Sequence, residues 1–221
     1  MRGSGSGPTL GGSERIPTSV RAGGPPDAAA AARLHGQLIS EGFLSSLGPR
    51  FLRRLYSRIA RAEGSFLLIA EIDHTPVGFI AGSEALRQLY RTFLLRDGVA
   101  SALSAPVRLL SALPRVLETL RHGGGDVGSE GAELLAVAVE PGWRDQHVGR
   151  QLVECFLSEL ERRGVGSAHV VVGADNAAAI AMYRRAGFTP VKTFEMHRGV
   201  GSVLMEIAVP GGAVPNTSPG L

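Results

Sequence analysis

The sequence predicts a mixed α/β sheet covered by helices on both faces, and three observations predict it. Three runs of strand length, Ser65–Ile72, Val77–Ser83 and Ala132–Val139, are almost wholly apolar, as buried strands are. Two other stretches carry apolar residues at helical spacing: Phe51, Leu52, Leu55, Tyr56 and Ile59, then Leu152, Phe156, Leu157 and Leu160. Their order is helices, a hairpin, then alternating strand and helix, and that order builds one sheet with helices on each side.

In chain order, residues 1–13 are rich in glycine and serine and read as a disordered tail. A short strand is expected near Ile16–Arg21. Asp27 is a plausible N-cap for an Ala-rich helix running to Leu38, and Pro49 suits the first position of a second helix. Ser65–Ile72 and Val77–Ser83, joined by a turn at Asp73–Pro76, form an antiparallel hairpin. Ala132–Val139 is the next strand, Val148–Arg163 a helix, His169–Val172 a strand and Ala177–Ala186 a helix. Pro190 to Val209 supplies a final pair of strands, and residues 210–221, with Pro215 and Pro219, form a second disordered tail. Residues 14–209 are therefore read as a single domain.

The connection from Glu84 to Gly131 is too long for a loop without structure of its own. Leu109, Leu113, Val116, Leu117 and Leu120 fall on one helical face, and Arg87, Arg91, Arg96, Arg108, Arg115 and Arg121 punctuate the segment. It reads as a helical insertion between the third and fourth strands. A packed helical cap is the ordinary reading and a lid over the acceptor the sharper expectation, with a dimer contact or a membrane-surface contact as alternatives.

Composition narrows the function. The chain has 221 residues, 44% hydrophobic, enough to bury a core without staples. Its charge is mildly basic, 23 Lys+Arg against 20 Asp+Glu for a net +3, and Lys192 is the only lysine. That excess is too small and unclustered to argue nucleic-acid binding. Cys155 stands alone, so a disulfide scaffold is excluded and a reducing cytoplasm is the expected compartment. No apolar run approaches the length of a membrane span. The six histidines (His35, His74, His122, His147, His169, His197) show no metal-ligand spacing, so no metal is expected. Cys155 reads as a small core residue, and Trp143 as packing on a turn.

Two motifs carry chemistry. In Glu133-Leu-Leu-Ala-Val-Ala-Val-Glu-Pro-Gly-Trp-Arg-Asp-Gln-His-Val-Gly-Arg150 a strand ends, Pro141-Gly142 turns the chain, and a helix begins near Val148. The amides of a first helical turn have no partner inside the helix and sit at the positive end of its dipole. With Arg144 and Arg150 beside them they make a site for a diphosphate, although an ordinary strand–turn–helix with solvated arginines looks the same. The second motif is Ala174-Asp-Asn-Ala-Ala-Ala-Ile-Ala-Met-Tyr-Arg-Arg-Ala-Gly-Phe188, in which Asn176 opens a helix and Gly187-Phe188 closes it.

In this order and at this separation, the two runs resemble the GNAT superfamily of N-acetyltransferases. The resemblance is specific over Glu133–Phe188 and extends to about 14–209. Arg144, Gly149, Asn176, Tyr183, Gly187 and Phe188 match the family's Gln/Arg-x-x-Gly-x-Gly/Ala cradle and its later Asn, Tyr and Gly-Phe. His147 departs from it, standing where the cradle has its first glycine, which puts cofactor affinity in question.

The resemblance implies the GNAT-like acyl-CoA N-acyltransferase fold, with acetyl-CoA held between the strand ending near Val139 and the strand starting near His169. It implies cofactor contacts from Val137, Ala138, Val139, Arg144, Gln146, His147, Val148, Gly149, Arg150, Asn176 and Tyr183. A backbone N–H around Ala138 would meet the thioester oxygen, and Tyr183 would protonate the leaving thiolate. Glu133 would take the acceptor's proton; a solvent-facing strand-end carboxylate is its alternative, and Glu71 and Glu195 are weaker candidates for the base.

The function expected is direct acetyl transfer from acetyl-CoA to a primary amine of a small molecule, in a ternary complex, with a homodimer admitted. The alternatives are a CoA-binding sensor with weak turnover, suggested by His147, a protein N-acetyltransferase, and, last, a nucleotide-binding protein. The last lacks both glycine-rich nucleotide fingerprints.

Overall fold

The computed structural model describes residues 18–39, 44, 47–86, 88–89, 131–196 and 200–212. Seven strands form one sheet in the order β1-β2-β3-β4-β5-β7-β6. The strands are β1 (Ser19–Ala22), β2 (Ser65–Ile72), β3 (Thr75–Ser83), β4 (Ala132–Val139), β5 (Ser167–Gly173), β6 (Thr189–Met196) and β7 (Val200–Ala208). Four α-helices accompany them among the described residues: α1 (Ala28–Leu38), α2 (Pro49–Ile59), α3 (Val148–Arg162) and α4 (Ala177–Arg185). Only β4 and β5 run parallel; every other neighbouring pair is antiparallel.

The period-two alternation of the strands sorts the core into two layers. Phe66, Leu68, Ala70 and Ile80 face α3, where Leu152, Val153, Phe156 and Leu160 cover them. Leu67, Ile69, Phe79 and Ala81 face the other way, toward Ala31 and Leu34 of α1 and Leu52, Leu55, Tyr56 and Ile59 of α2. Each large side chain buried this way contributes roughly 1.5–3 kcal/mol. Helices thus cover both faces, as the apolar periodicity predicts.

Several boundaries differ from the sequence reading. The hairpin turn closes in two residues, Asp73 and His74, both with left-handed backbone (φ 48° and 60°), so β3 starts at Thr75. β5 begins at Ser167 and ends at Gly173, wider than His169–Val172, because β7 pairs with it throughout.

On the α1 side a buried pair joins the two helices, with His35 Nδ1 2.6 Å from the Tyr56 hydroxyl. Arg21 clamps β1 to its surroundings through Asp27 (2.8 Å) and Glu71 (2.6 Å). Arg33 ties α1 to Glu140, just beyond β4, at 2.8 Å.

The insertion lies outside the described residues except at its ends. There Leu89 returns to the α1/α2 core, 2% exposed. The N-terminal tail, residues 213–221 of the C-terminal tail, His122 and His197 also lie outside them. Among the described residues no helix is long and apolar enough to cross a membrane.

Candidate active site

The parallel pairing of β4 with β5 lasts two rungs, Ala132 opposite Ala168 and Glu133 opposite His169. Beyond them the strands part. β4 stays bound to β3 as far as Val139, and β5 stays bound to β7 as far as Gly173, so the two inner edges frame an open fork. A register shift at Ala81/Gly82 of β3 leaves Leu135 as the extra residue in β4, the kind of bulge that bends a strand and re-aims the residues beyond it.

The ladder's phase decides which amides face the fork. Glu140 donates its N–H to the Val77 carbonyl at 2.8 Å, and alternation then makes Ala138 and Phe79 the next pair that exchange hydrogen bonds. Ala138 therefore turns its own N–H to β3, which narrows the expectation of an amide around Ala138 to its two neighbours. The N–H groups of Val137 and Val139, on either side, point into the fork. Arg144 Nε approaches the Val139 carbonyl at 3.4 Å on this same edge.

β4 leads through a short 3-10 turn, Pro141–Trp143, to the start of α3. His147 is the N-cap and has left-handed backbone (φ 64°), as does Asp145 (φ 42°). The glycine position of the cradle thus keeps glycine's conformation, at a cost of about 1–2 kcal/mol for a residue with a side chain, and the imidazole is exposed. The first helical bond runs from the Gln151 N–H to the His147 carbonyl at 2.9 Å, and no side chain caps the helix. The amides of Val148, Gly149 and Arg150 are therefore left at the open end of α3. Gly149 lets α3 and α4 approach closely there: a Cβ would lie 3.1 Å from the Met182 sulfur of α4, which would have to give way.

The polar side chains here divide. Arg144 and Gln146 are exposed beside the loop, Gln146 Nε2 lying 3.5 Å from the Gly142 carbonyl. Arg150 turns down the helix to Glu154 at 2.7 Å, away from the open amides.

Asn176 caps α4, its Oδ1 accepting from the Ala179 N–H at 3.1 Å, which leaves its amide nitrogen to donate to a ligand. Gly187 (φ 100°) ends the helix, and the Phe188 N–H reaches the Tyr183 carbonyl at 3.0 Å. That turn lays Phe188 against the Tyr183 ring, centroids 5.6 Å apart. Tyr183 is 4% exposed and belongs to the core layer on the α3 side of the sheet, which also takes in Val137, Val139, Val148 and Met182. Burial pushes its hydroxyl well above the usual phenol range, so it keeps its proton.

At the root of the fork Glu133 faces His169, Oε2 to Nε2 3.6 Å. Glu71 is held by Arg21, and Glu195 lies on β6 at the far edge of the sheet, so neither shares the fork. His169 escapes sequence reasoning as a site residue. No spacing links it to Glu133, and only the strand register brings them together. Cys155 is a partly buried neighbour of the core whose thiol burial pushes up, and Trp143 packs against the same core. Among the described residues no three His, Cys, Asp or Glu side chains cluster as a metal site.

These features fit an acyl-CoA. An open helix N-terminus with an exposed arginine suits a diphosphate, a fork with inward amides suits an extended acyl chain, and a buried protonated phenol lies on the neighbouring helix α4. The sequence model of the acetyltransferase (GNAT) family matches residues 36–188. Among curated proteins, the [ribosomal protein bS18]-alanine N-acetyltransferase of Escherichia coli K12 is 47% identical over 57 residues, 26% of this chain and 38% of that protein. A mycothiol acetyltransferase of Catenulispora acidiphila is 38% identical over 68 residues, 31% of this chain and 20% of that protein. The chain thus spans well under two thirds of the curated relatives it matches.

Among solved structures, the E. coli ribosomal-protein-S18-alanine N-acetyltransferase aligns with TM-score 0.58 and 18% identity, covering 91% of this chain and 99% of that one. Salmonella typhimurium yncA, solved with its cofactor acetyl-CoA, aligns with TM-score 0.60 and 15% identity, covering 91% and 99%. At such identities the likeness is one of fold.

Proposed function

The chain belongs to the acetyltransferase (GNAT) family, and on that premise we propose that it transfers an acetyl group from acetyl-CoA directly to a primary amine in a ternary complex. The observation that carries this reading is the β4/β5 fork opening onto the uncapped start of α3.

The amides of Val148, Gly149 and Arg150, with Arg144, Gln146 and His147 around them, hold the diphosphate. Arg144 is the chief cation, since Arg150 is engaged by Glu154. Acetyl-CoA supplies an activated carbonyl and a thiol leaving group. The inward N–H groups of Val137 and Val139 meet the carbonyl oxygen, where negative charge develops. Tyr183 holds a proton for the departing sulfur, and Asn176 fixes the helix that carries it. Glu133, at the fork's root, accepts the proton that the acceptor's ammonium must lose.

The acceptor suggested by the sequence is a small amine. A second reading, favoured by the match to bS18-alanine N-acetyltransferases, is the N-terminal amine of a polypeptide. A screen of thiol release from acetyl-CoA against small amines and alanine-initiated peptides separates them. Turnover with one class names the acceptor. Tight CoA binding without turnover on any amine makes the protein a sensor, and absence of CoA binding removes the reading altogether.

A further inference from the structure

The last rung before the fork puts Glu133 and His169 side by side, and the imidazole is in an unusual state. His169 is 9% exposed, and its Nδ1 is the one buried side-chain polar atom without a hydrogen-bond partner among the described residues. Buried polar atoms are paired almost without exception, and an orphan in a polar setting asks for a reason. The described strands put charged groups on both sides of it: Glu133 from β4, with Oε2 3.6 Å from Nε2, and Glu206 from β7, directly opposite His169 in register. The row continues on the same face beyond Glu133 to Ser83 of β3, which is hydrogen-bonded to Ser65 at 2.9 Å. The Glu133 side chain is about one-fifth exposed and the His169 side chain about half as much, so the carboxylate is the more open of the two to solvent.

We propose that His169 is the positioning residue for the base Glu133. The neutral imidazole carries its hydrogen on Nε2, directs one oxygen of Glu133, and leaves the other oxygen to the acceptor's ammonium. The 3.6 Å separation is of the loose kind that tightens when substrates bind. Glu206, opposite His169 in register, is the second carboxylate beside the ring. The protons balance: of the two that the ammonium loses, one ends on the leaving thiol through Tyr183, and the other goes to Glu133 and on to solvent. This role rests on the acetyl transfer proposed above, and histidine suits it because its two ring nitrogens are distinct, so the partner of one fixes which of them carries the hydrogen.

Two measurements on the full-length protein test the role. Nitrogen NMR of the ring at pH 8 reads the tautomer directly: Nε2–H is expected in the parent, with the preference lost in Glu133→Gln. The pH–rate profile is the second, and its acidic limb is expected to move by about one pH unit or more in His169→Gln, whereas a merely structural histidine would lower the rate at every pH alike. An Nδ1–H tautomer, a tautomer indifferent to Glu133→Gln, or an unmoved limb overturns the proposal. Should His169→Gln not fold, the tautomer measurement decides alone, since it leaves residue 169 untouched. If the parent releases no thiol with any amine, the acetyl-transfer reading fails, and the tautomer still reports whether the pair exists.

Discussion

The two edges of β5 behave oppositely. Toward β7 the strand pairs at all seven positions, Ser167 to Gly173; toward β4 it pairs at two and then separates. The closed edge behaves as core, buried and paired. The open edge leaves backbone amides of β4 unpaired, with a carboxylate–imidazole pair at its root. A sheet builds a site here by stopping its own hydrogen bonding, and the helices that start beyond the fork, α3 and α4, supply the rest.

The open side should give the biggest change. Tyr183→Phe keeps the ring that packs on Phe188 and deletes only the hydroxyl, so acetyl-CoA affinity should survive while kcat falls by about 10²–10⁴-fold. Equal turnover would assign the thiol's proton to another donor.

The buried core under α1 and α2, away from the fork, should answer to pH instead. Burial lowers the His35 pKa from 6.5 to about 4. Between those values the unfolded chain binds a proton that the folded one refuses. Stability is therefore full above about pH 6.5 and falls as pH drops toward 4, by about 2–3 kcal/mol. Urea midpoints measured across that window should decline in the parent and stay flatter in His35→Gln.

Gly82→Ala probes the sheet just behind the fork. The added Cβ would meet Phe156 at 2.6 Å and Phe66 at 2.8 Å, an overpacking expected to cost about 1–3 kcal/mol. A thermal melt reads it, and an unchanged Tm would mean that the aromatic pair yields freely.

Much of this is legible in the sequence. Apolar runs set β2 and β4 to the residue, and the helix at Pro49 and the Gly187-Phe188 stop follow from local rules of helix ends. Local signals stop where register begins. The pairing of Glu133 with His169, two residues far apart in the chain, depends on how β4 and β5 align. The assignment of the inward amides to Val137 and Val139, not Ala138, depends on ladder phase across β3. Arg150's turn toward Glu154 is an i,i+4 choice that the cradle motif cannot foretell.

The two arginines of the cradle carry the contrast to its smallest scale. Arg144→Ala should weaken acetyl-CoA binding by about 1–3 kcal/mol in calorimetry, the size of a charge-assisted contact. Arg150→Ala, already paired along the helix and exposed, should shift it by less than about 0.5 kcal/mol. Reversed sizes would place the diphosphate further along α3.

Amide hydrogen exchange with and without acetyl-CoA asks whether the open edge of β4 receives the acyl donor. Val137, Val139 and Val148–Arg150 should gain protection on binding, while Ala138, already bonded to β3, should be slow in both states. Protection of Ala138 alone, or protection confined to α1 and α2 while the five fork amides exchange as before, would contradict it.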